Sequence, residues 1–273
     1  MPVTYKGRIA VAYWCAFCNA VYQNTHTFMK LSIPVLGIVV TLLLSSCSVL
    51  KRNRFSNHQG EQTNELDLPV VLYPAADQHS RRLLILLSGD GGWLEFTDQL
   101  ASGFAKKGFN VVGLNSRSYF WEQRNPEQTE QDIRRLISHY ATQYNANRIY
   151  LTGYSFGADV VPFIYNRLPA ATKRSVVAIG LFSPFASTDF MVHTADLLNL
   201  SSDNKPYKVQ PEVQRIRIPV YCFYGEKEEP KALSHLEKRN FHLKTLAGDH
   251  HYELPESEKI ITTFTRIRSI KLR

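Results

Sequence analysis

The chain is poor in cysteine, with only Cys15, Cys18, Cys47 and Cys222 in 273 residues. That scarcity excludes a disulfide-stapled scaffold. Cys15 and Cys18 form a lone C-x-x-C with no second pair, which makes a poor zinc candidate. No internal repeat period is visible, which excludes solenoids and propellers. Acids are missing from the first 46 residues, where Lys6, Arg8 and Lys30 stand alone, so about +5 of the net +8 belongs to the rest. That excess suits an anionic membrane surface. No aromatic-interleaved basic stripe accompanies it, so nucleic acid is not an expected partner. A comfortable membrane span is lacking too. The uncharged apolar stretch 31–44 (LSIPVLGIVVTLLL) falls short of the ~20 residues a span needs.

That stretch suits the apolar region of a signal peptide, with Lys30 as its positive flank. It runs into Leu44-Ser45-Ser46-Cys47, similar to a bacterial lipobox, in which cleavage precedes a cysteine that is then lipidated. Met29-Lys30 would be a normal start for such a signal, so residues 1–28 read as upstream sequence. The expected organisation is signal and upstream residues over 1–46, a lipidated Cys47 with a flexible tether over 47–68, and one folded domain over 69–273. Ser48 after the lipidated position favours the outer membrane of a Gram-negative cell, facing the periplasm. Cys222 would then be the one cysteine left, with no intramolecular partner.

The composition of the whole chain is ordinary for a globular protein, at 44% hydrophobic and 21% charged, and its 273 residues suit one domain of the larger α/β kind. Its centre is Gly153-Tyr154-Ser155-Phe156-Gly157. A β-branched and aromatic run, 148–152, precedes it, and a helix start, 158–161, follows. Strand, G-x-S-x-G and helix are the setting of a nucleophile elbow. The bland alternative is a Gly-rich connection carrying an idle serine. A serine hydroxyl needs a base to take its proton, so the choice between the two turns on finding that base.

Taken in order, 69–73 predicts an edge strand and 81–87 a strand buried on both faces. The latter ends in Ser88-Gly89-Asp90-Gly91-Gly92-Trp93. A Gly-rich turn there is where an elbow fold places half of its oxyanion hole, which assigns one donor to the Asp90 N–H and the other to that of Phe156. A phosphate-binding loop is the rival reading, but the G-K-[ST] ending is missing. The pattern then predicts a helix over 96–107, a strand over 110–114 and a helix over 126–144. The aromatic triplet 119–121 reads as core packing. Pro162 predicts a kink in the helix after the elbow. Asp159, one helical turn past Ser155, is either a substrate-binding carboxylate or compensation for the helix dipole. A strand over 175–181 precedes a cap over 183–215, with a short helix near 189–200 and an isolated, structural His193.

Strand 218–224 ends in a turn with Glu226, Glu228 and Glu229, where the triad acid belongs; Glu228 is favoured and the other two stay open. After the last strand, 241–246, come His250 and His251, of which His250 is the favoured base. No third ligand stands near that pair, so neither metal nor cofactor is expected. The order Ser155, Glu228, His250, each after a strand, is that of an α/β-hydrolase: a mostly parallel sheet with helices on both faces and a small cap. A closing helix is expected over 258–268.

Six stretches together resemble the VirJ/AcvB-type bacterial virulence proteins: 86–93 (LLSGDGGW), 118–129 (SYFWEQRNPEQT), 151–169 (LTGYSFGADVVPFIYNRLP), 188–190 (TDF), 221–229 (YCFYGEKEE) and 248–252 (GDHHY). The resemblance implies a periplasmic α/β-hydrolase that cleaves aminoacyl-phosphatidylglycerol, typically the lysyl form. It maps the nucleophile to Ser155, the acid to the turn at Glu228 and the base to the His250–His251 pair. It also implies a second cysteine soon after the acid turn to pair with Cys222, but 228–233 reads EEPKAL. The expected reaction is serine-ester hydrolysis, with Asp90 and Asp159 receiving the cationic headgroup and the lipid anchor bringing the protein to its membrane-borne substrate. A general periplasmic esterase or thioesterase is the alternative within the class. A non-catalytic assembly factor working with secretion-system components is the alternative outside it.

Overall fold

The computed structural model describes residues 54–55, 58–193 and 205–267. The signal segment, Cys15, Cys18 and the Cys47 lipidation site lie outside them, as does most of the cap helix expected near 189–200. Among the described residues, no helix is long and apolar enough to cross a membrane.

The strands are β1 (Glu61–Thr63), β2 (Val70–Tyr73), β3 (Arg82–Leu87), β4 (Asn110–Leu114), β5 (Arg148–Tyr154), β6 (Val176–Phe182), β7 (Ser187–Thr188), β8 (Tyr207–Lys208), β9 (Val220–Gly225) and β10 (Phe241–Leu246). Eight of them form one sheet in the order β1-β2-β4-β3-β5-β6-β9-β10. The β1/β2 and β2/β4 pairs are antiparallel, and every pair from β4 to β10 is parallel. The helices are α1 (Glu95–Lys106), α2 (Ser116–Tyr119), α3 (Pro126–Gln143), α4 (Phe156–Arg167), α5 (Ala170–Lys173), α6 (Val209–Arg215) and α7 (Ser257–Thr265).

Side chains that alternate along a strand serve two cores. In β3, Leu83, Ile85 and Leu87 face the core built with α3, α4 and α6, while Leu84 and Leu86 face the one built with α1 and α7. Burial on both faces explains the unbroken apolar run of that strand. Helix α3 begins where its sequence dictates. Asn125 and Gln128 form a reciprocal capping box, and Pro126 occupies the first helical turn, where its missing N–H costs nothing.

Trp93 closes the Gly-rich turn from below. It is fully buried, its indole N–H donates to the Tyr73 hydroxyl at 2.9 Å, and it fills the space over Gly113, where a Cβ would come within 2.1 Å of its ring.

Three expectations change. The paired strands begin at Glu61, inside the segment read as a tether, and β1 covers the edge of β2 that was expected to be open. The sequence of β1, Glu-Gln-Thr, carries no apolar pattern because its side chains are largely exposed and only its backbone is used. Residues 189–193 are not helical, and the described cap is the β7–β8 hairpin with α6. Helix α4 runs unbroken through Pro162. Within the aromatic triplet, Tyr119 and Phe120 are buried, and Phe120 packs edge-on against Phe156 at the elbow, with centroids 5.0 Å apart.

Candidate active site

Strand β5 delivers Ser155 to the C-terminal edge of the sheet and α4 starts immediately after it. Ser155 itself holds the strained backbone, at φ 52° and ψ −123°, and not the flanking glycines. Such a conformation costs ~1–3 kcal/mol and persists only where surrounding structure fixes it. Here the Ser155 N–H donates to the Phe182 carbonyl at 2.7 Å. The glycines serve close approach. A Cβ on Gly153 would lie 2.3 Å from the Gly157 carbonyl carbon, and one on Gly157 would lie 2.4 Å from the Leu87 carbonyl oxygen. Only hydrogens let the first turn of α4 rest against the ends of β5 and β3.

The loop after β10 places the His250 Nε2 2.9 Å from Ser155 Oγ, and its Nδ1 2.8 Å from Glu228 Oε1. A carboxylate only accepts, so Nδ1 carries the proton and Nε2 is left to accept from the serine. Glu228 is buried, whereas Glu226 and Glu229 are exposed and Glu229 pairs with Lys231 at 3.0 Å. His251 is exposed as well, with Nδ1 3.3 Å from the Tyr154 hydroxyl. The same hydroxyl donates to the His250 carbonyl at 3.0 Å, which ties the elbow to the histidine loop. The structure thus brings Ser155, His250 and Glu228 together and leaves Glu226, Glu229 and His251 outside this series.

Around this chain of bonds lies a cleft of about 850 Å³. The turn Gly89–Gly92 forms one wall and is closed by the Gly92 N–H donating to the Gly89 carbonyl at 3.2 Å. A Cβ on Gly89 would sit 3.4 Å from Ser155 Cβ, so the turn lies against the nucleophile. Phe156 opens α4, and the first N–H groups of a helix have no intrahelical acceptor. Both expected oxyanion donors thus border the cleft beside Ser155.

Asp159 lines the cleft from beneath and is almost completely buried. Burial pushes its carboxyl well above the usual carboxylate range, opposed by the Phe185 N–H that it accepts at 2.6 Å and by the charge of Lys205. It therefore clamps the loop after β6 as well as facing the cleft, a role the sequence reading missed. That loop presents Phe185, 44% exposed, whose ring stacks on His250 with centroids 5.0 Å apart. His193 lies away from these groups, paired with Asp189 at 2.5 Å. Among the described residues, no group of three histidines, cysteines or carboxylates could hold a metal ion.

The parallel sheet, the strained serine at its elbow, and the histidine and acid that follow its last two strands define a protein of the α/β-hydrolase fold. Solved structures with this fold include Est1E from Butyrivibrio proteoclasticus, at 14% identity over 72% of this chain and 92% of that one, with a TM-score of 0.52. A lipase-esterase related protein of Clostridium acetobutylicum matches at 16% identity over 74% and 99%, with a TM-score of 0.55. At these identities the likeness is one of fold. No curated protein matches the chain. The sequence pattern of the family described as "Bacterial virulence protein (VirJ)" matches residues 81–266, and the chain belongs to that family.

Proposed function

We propose that the protein is a serine esterase that hydrolyses the aminoacyl ester of lysyl-phosphatidylglycerol, giving lysine and phosphatidylglycerol. The observation that carries the reading is the unbroken series Ser155 Oγ, His250, Glu228, at 2.9 and 2.8 Å, opening into the cleft. Ser155 Oγ attacks the ester carbonyl as His250 Nε2 takes its proton. The N–H groups of Asp90 and Phe156 stabilise the oxyanion. His250 then returns the proton to the departing glycerol oxygen, leaving a lysyl-enzyme. Water, deprotonated by His250, releases lysine and restores the serine.

Two features support a lipid with a cationic head. The residues lining the cleft include the acids Asp90, Glu95 and Asp159, with Arg54 and Lys205 as its basic members. An ammonium close to buried Asp159 would offset the desolvation that holds its proton on. Of the three large apolar side chains exposed among the described residues, Phe185 and Leu254 both line this cleft, where acyl chains would pass. Lipidation at Cys47 and a place on the periplasmic face of the outer membrane complete the proposal.

The test uses the purified full-length chain and its Ser155→Ala variant in detergent with lysyl-phosphatidylglycerol, following free lysine. Release by the native chain alone is the expected result. Turnover of a simple activated ester without lysine release would replace the substrate assignment with a general esterase. Full biological activity of Ser155→Ala would replace the reading with a non-catalytic assembly role.

A further inference from the structure

The acid of the triad has a second oxygen, and the structure surrounds it with donors. Glu228 Oε2 accepts from the Gly225 N–H at 2.9 Å and from the Ser183 hydroxyl at 2.7 Å. Ser183 Oγ lies 2.7 Å from the Tyr252 hydroxyl, which is also 3.0 Å from the Phe223 carbonyl. Each hydroxyl has one proton to give. Phe223 O already accepts the Ser183 N–H at 2.8 Å. A carbonyl can accept twice, so the direction is set by the two 2.7 Å O···O contacts, each of which needs a proton between its oxygens: Tyr252 donates to Ser183 and Ser183 to Glu228, and the longer 3.0 Å contact with the Phe223 carbonyl is the one left without. All three side chains are buried. Burial also pushes the Tyr252 phenol upward, which keeps its proton in place at any working pH.

Two further details mark the arrangement. Ser183, just past the end of the strand beside the elbow strand, is held at a positive φ of 52°, as Ser155 is. Tyr252 lies two residues after His250, so one short loop carries both the base and the far end of the series. Its ring is fixed between Phe96 and Tyr154, with centroids 5.2 and 6.2 Å away.

We infer that Ser183 and Tyr252 are positioning residues for hydrolysis: a two-hydroxyl relay that fixes Glu228 Oε2 and so turns Oε1 toward His250. Chained hydrogen bonds polarise one another, so the Tyr252 O–H strengthens the donor that Ser183 presents. With both donors in place, negative charge on the acid is spread toward the protein interior. Its pull on the imidazolium is then graded, and His250 can give its proton up again. The inference rests on the esterase reading above.

Its test uses the full-length chain with p-nitrophenyl butyrate as the probe. Native turnover that Ser155→Ala abolishes establishes the reading on which the relay depends; an inert native chain, or an unimpaired Ser155→Ala, overturns both. Ser183→Ala is then expected to lower kcat about 10- to 100-fold with KM within about twofold. Loss of the donor makes the carboxylate more basic and the imidazolium more tightly held, so the acid limb of the kcat/KM profile moves to higher pH. Tyr252→Phe keeps the ring packing and is expected to move the limb the same way with a smaller loss. It carries the test alone if Ser183→Ala does not fold. The double variant is expected to be no slower than Ser183→Ala, because Tyr252 acts through Ser183. An unmoved acid limb, losses confined to KM, or losses that multiply in the double variant would overturn the relay while leaving the esterase intact.

Discussion

Replacing Glu228 with glutamine changes one atom and should remove almost all activity without disturbing the fold. The carboxylate accepts from three donors: His250 Nδ1–H on one oxygen, and the Ser183 hydroxyl and the Gly225 N–H on the other. A glutamine has one acceptor oxygen. Two donors face the Oε2 position, one of them a backbone N–H that cannot turn, so the amide oxygen settles there. The amide NH2 then faces His250. Two donors cannot bond each other, so Nδ1 must give up its proton and become the acceptor. The proton moves to Nε2, which faces Ser155 Oγ at 2.9 Å and can no longer accept from it. A triad locked in the wrong tautomer loses ~10⁴ in kcat, or about 5.5 kcal/mol in the barrier. KM should change by less than about threefold, since the cleft lining is untouched. Steady-state turnover of lysyl-phosphatidylglycerol and of p-nitrophenyl butyrate, with a thermal melt as the control for folding, measures both quantities. A Glu228→Gln enzyme retaining more than about a tenth of native kcat would refute the tautomer argument and with it the assignment of the acid.

Gly157→Ala should destabilise the protein by about 2–3 kcal/mol, because the added methyl meets the Leu87 and Ser88 carbonyl oxygens at 2.4 and 2.6 Å and backbone must shift; a urea midpoint unchanged from native would contradict this. Asp159→Asn should alter the pH dependence of stability. The folded protein binds the Asp159 proton more tightly than the unfolded chain, so this group's contribution is fully present at low pH. It is lost as pH rises from the unfolded value near ~3.9 through the raised folded one. Urea unfolding at pH 4, 6 and 8 should show the variant gaining on the native chain as pH rises, and a pH-independent difference would count against it. The same variant should lose more turnover on a lysyl ester than on a neutral one, and equal losses would remove Asp159 from headgroup recognition.

What the sequence made legible follows from how local each signal is. The strand and helix of the elbow and the strands 110–114 and 241–246 are written in short contiguous patterns, and they stand where they were expected. Choosing Glu228 over its neighbours needed only its spacing from the turn glycine, because the turn is closed locally by the Glu228 N–H on the Gly225 carbonyl at 3.2 Å. Strand β1 was invisible because backbone pairing at an edge asks for no apolar side chain. Ser183 and Tyr252 were missed for a different reason. They are 69 positions apart and meet because β6, β9 and β10, whose ends carry them and Glu228, are consecutive in the sheet. A Ser-Pro after a buried strand is a weak signal, and nothing local says that its hydroxyl reaches an acid in the turn after the neighbouring strand.

The residues proposed for chemistry are held mainly by backbone, and this separates them from the part of the molecule that would choose the substrate. The Glu226 N–H donates to the Leu246 carbonyl and the Lys227 N–H to that of Gly248, at 2.8 and 3.0 Å, so the acid turn and the histidine loop are joined main chain to main chain. Gly225 lets them close, since a Cβ there would come within 2.1 Å of the Asp249 carbonyl oxygen. The Ser155 and Ser183 N–H groups donate to the Phe182 and Phe223 carbonyls at 2.7 and 2.8 Å and fix the neighbouring strand ends in step. None of these bonds passes through the described cap. The loop that leads into it touches the series through the Phe185 ring on His250 and the Phe185 N–H on Asp159. Changes along 185–193 can therefore reshape the cleft wall with the acid, base and nucleophile left in register. Substitutions at Gly225 or Gly248, where φ is 103°, would shift acid and base together. On this geometry, relatives that act on different esters should differ along the cap and agree at these two glycines.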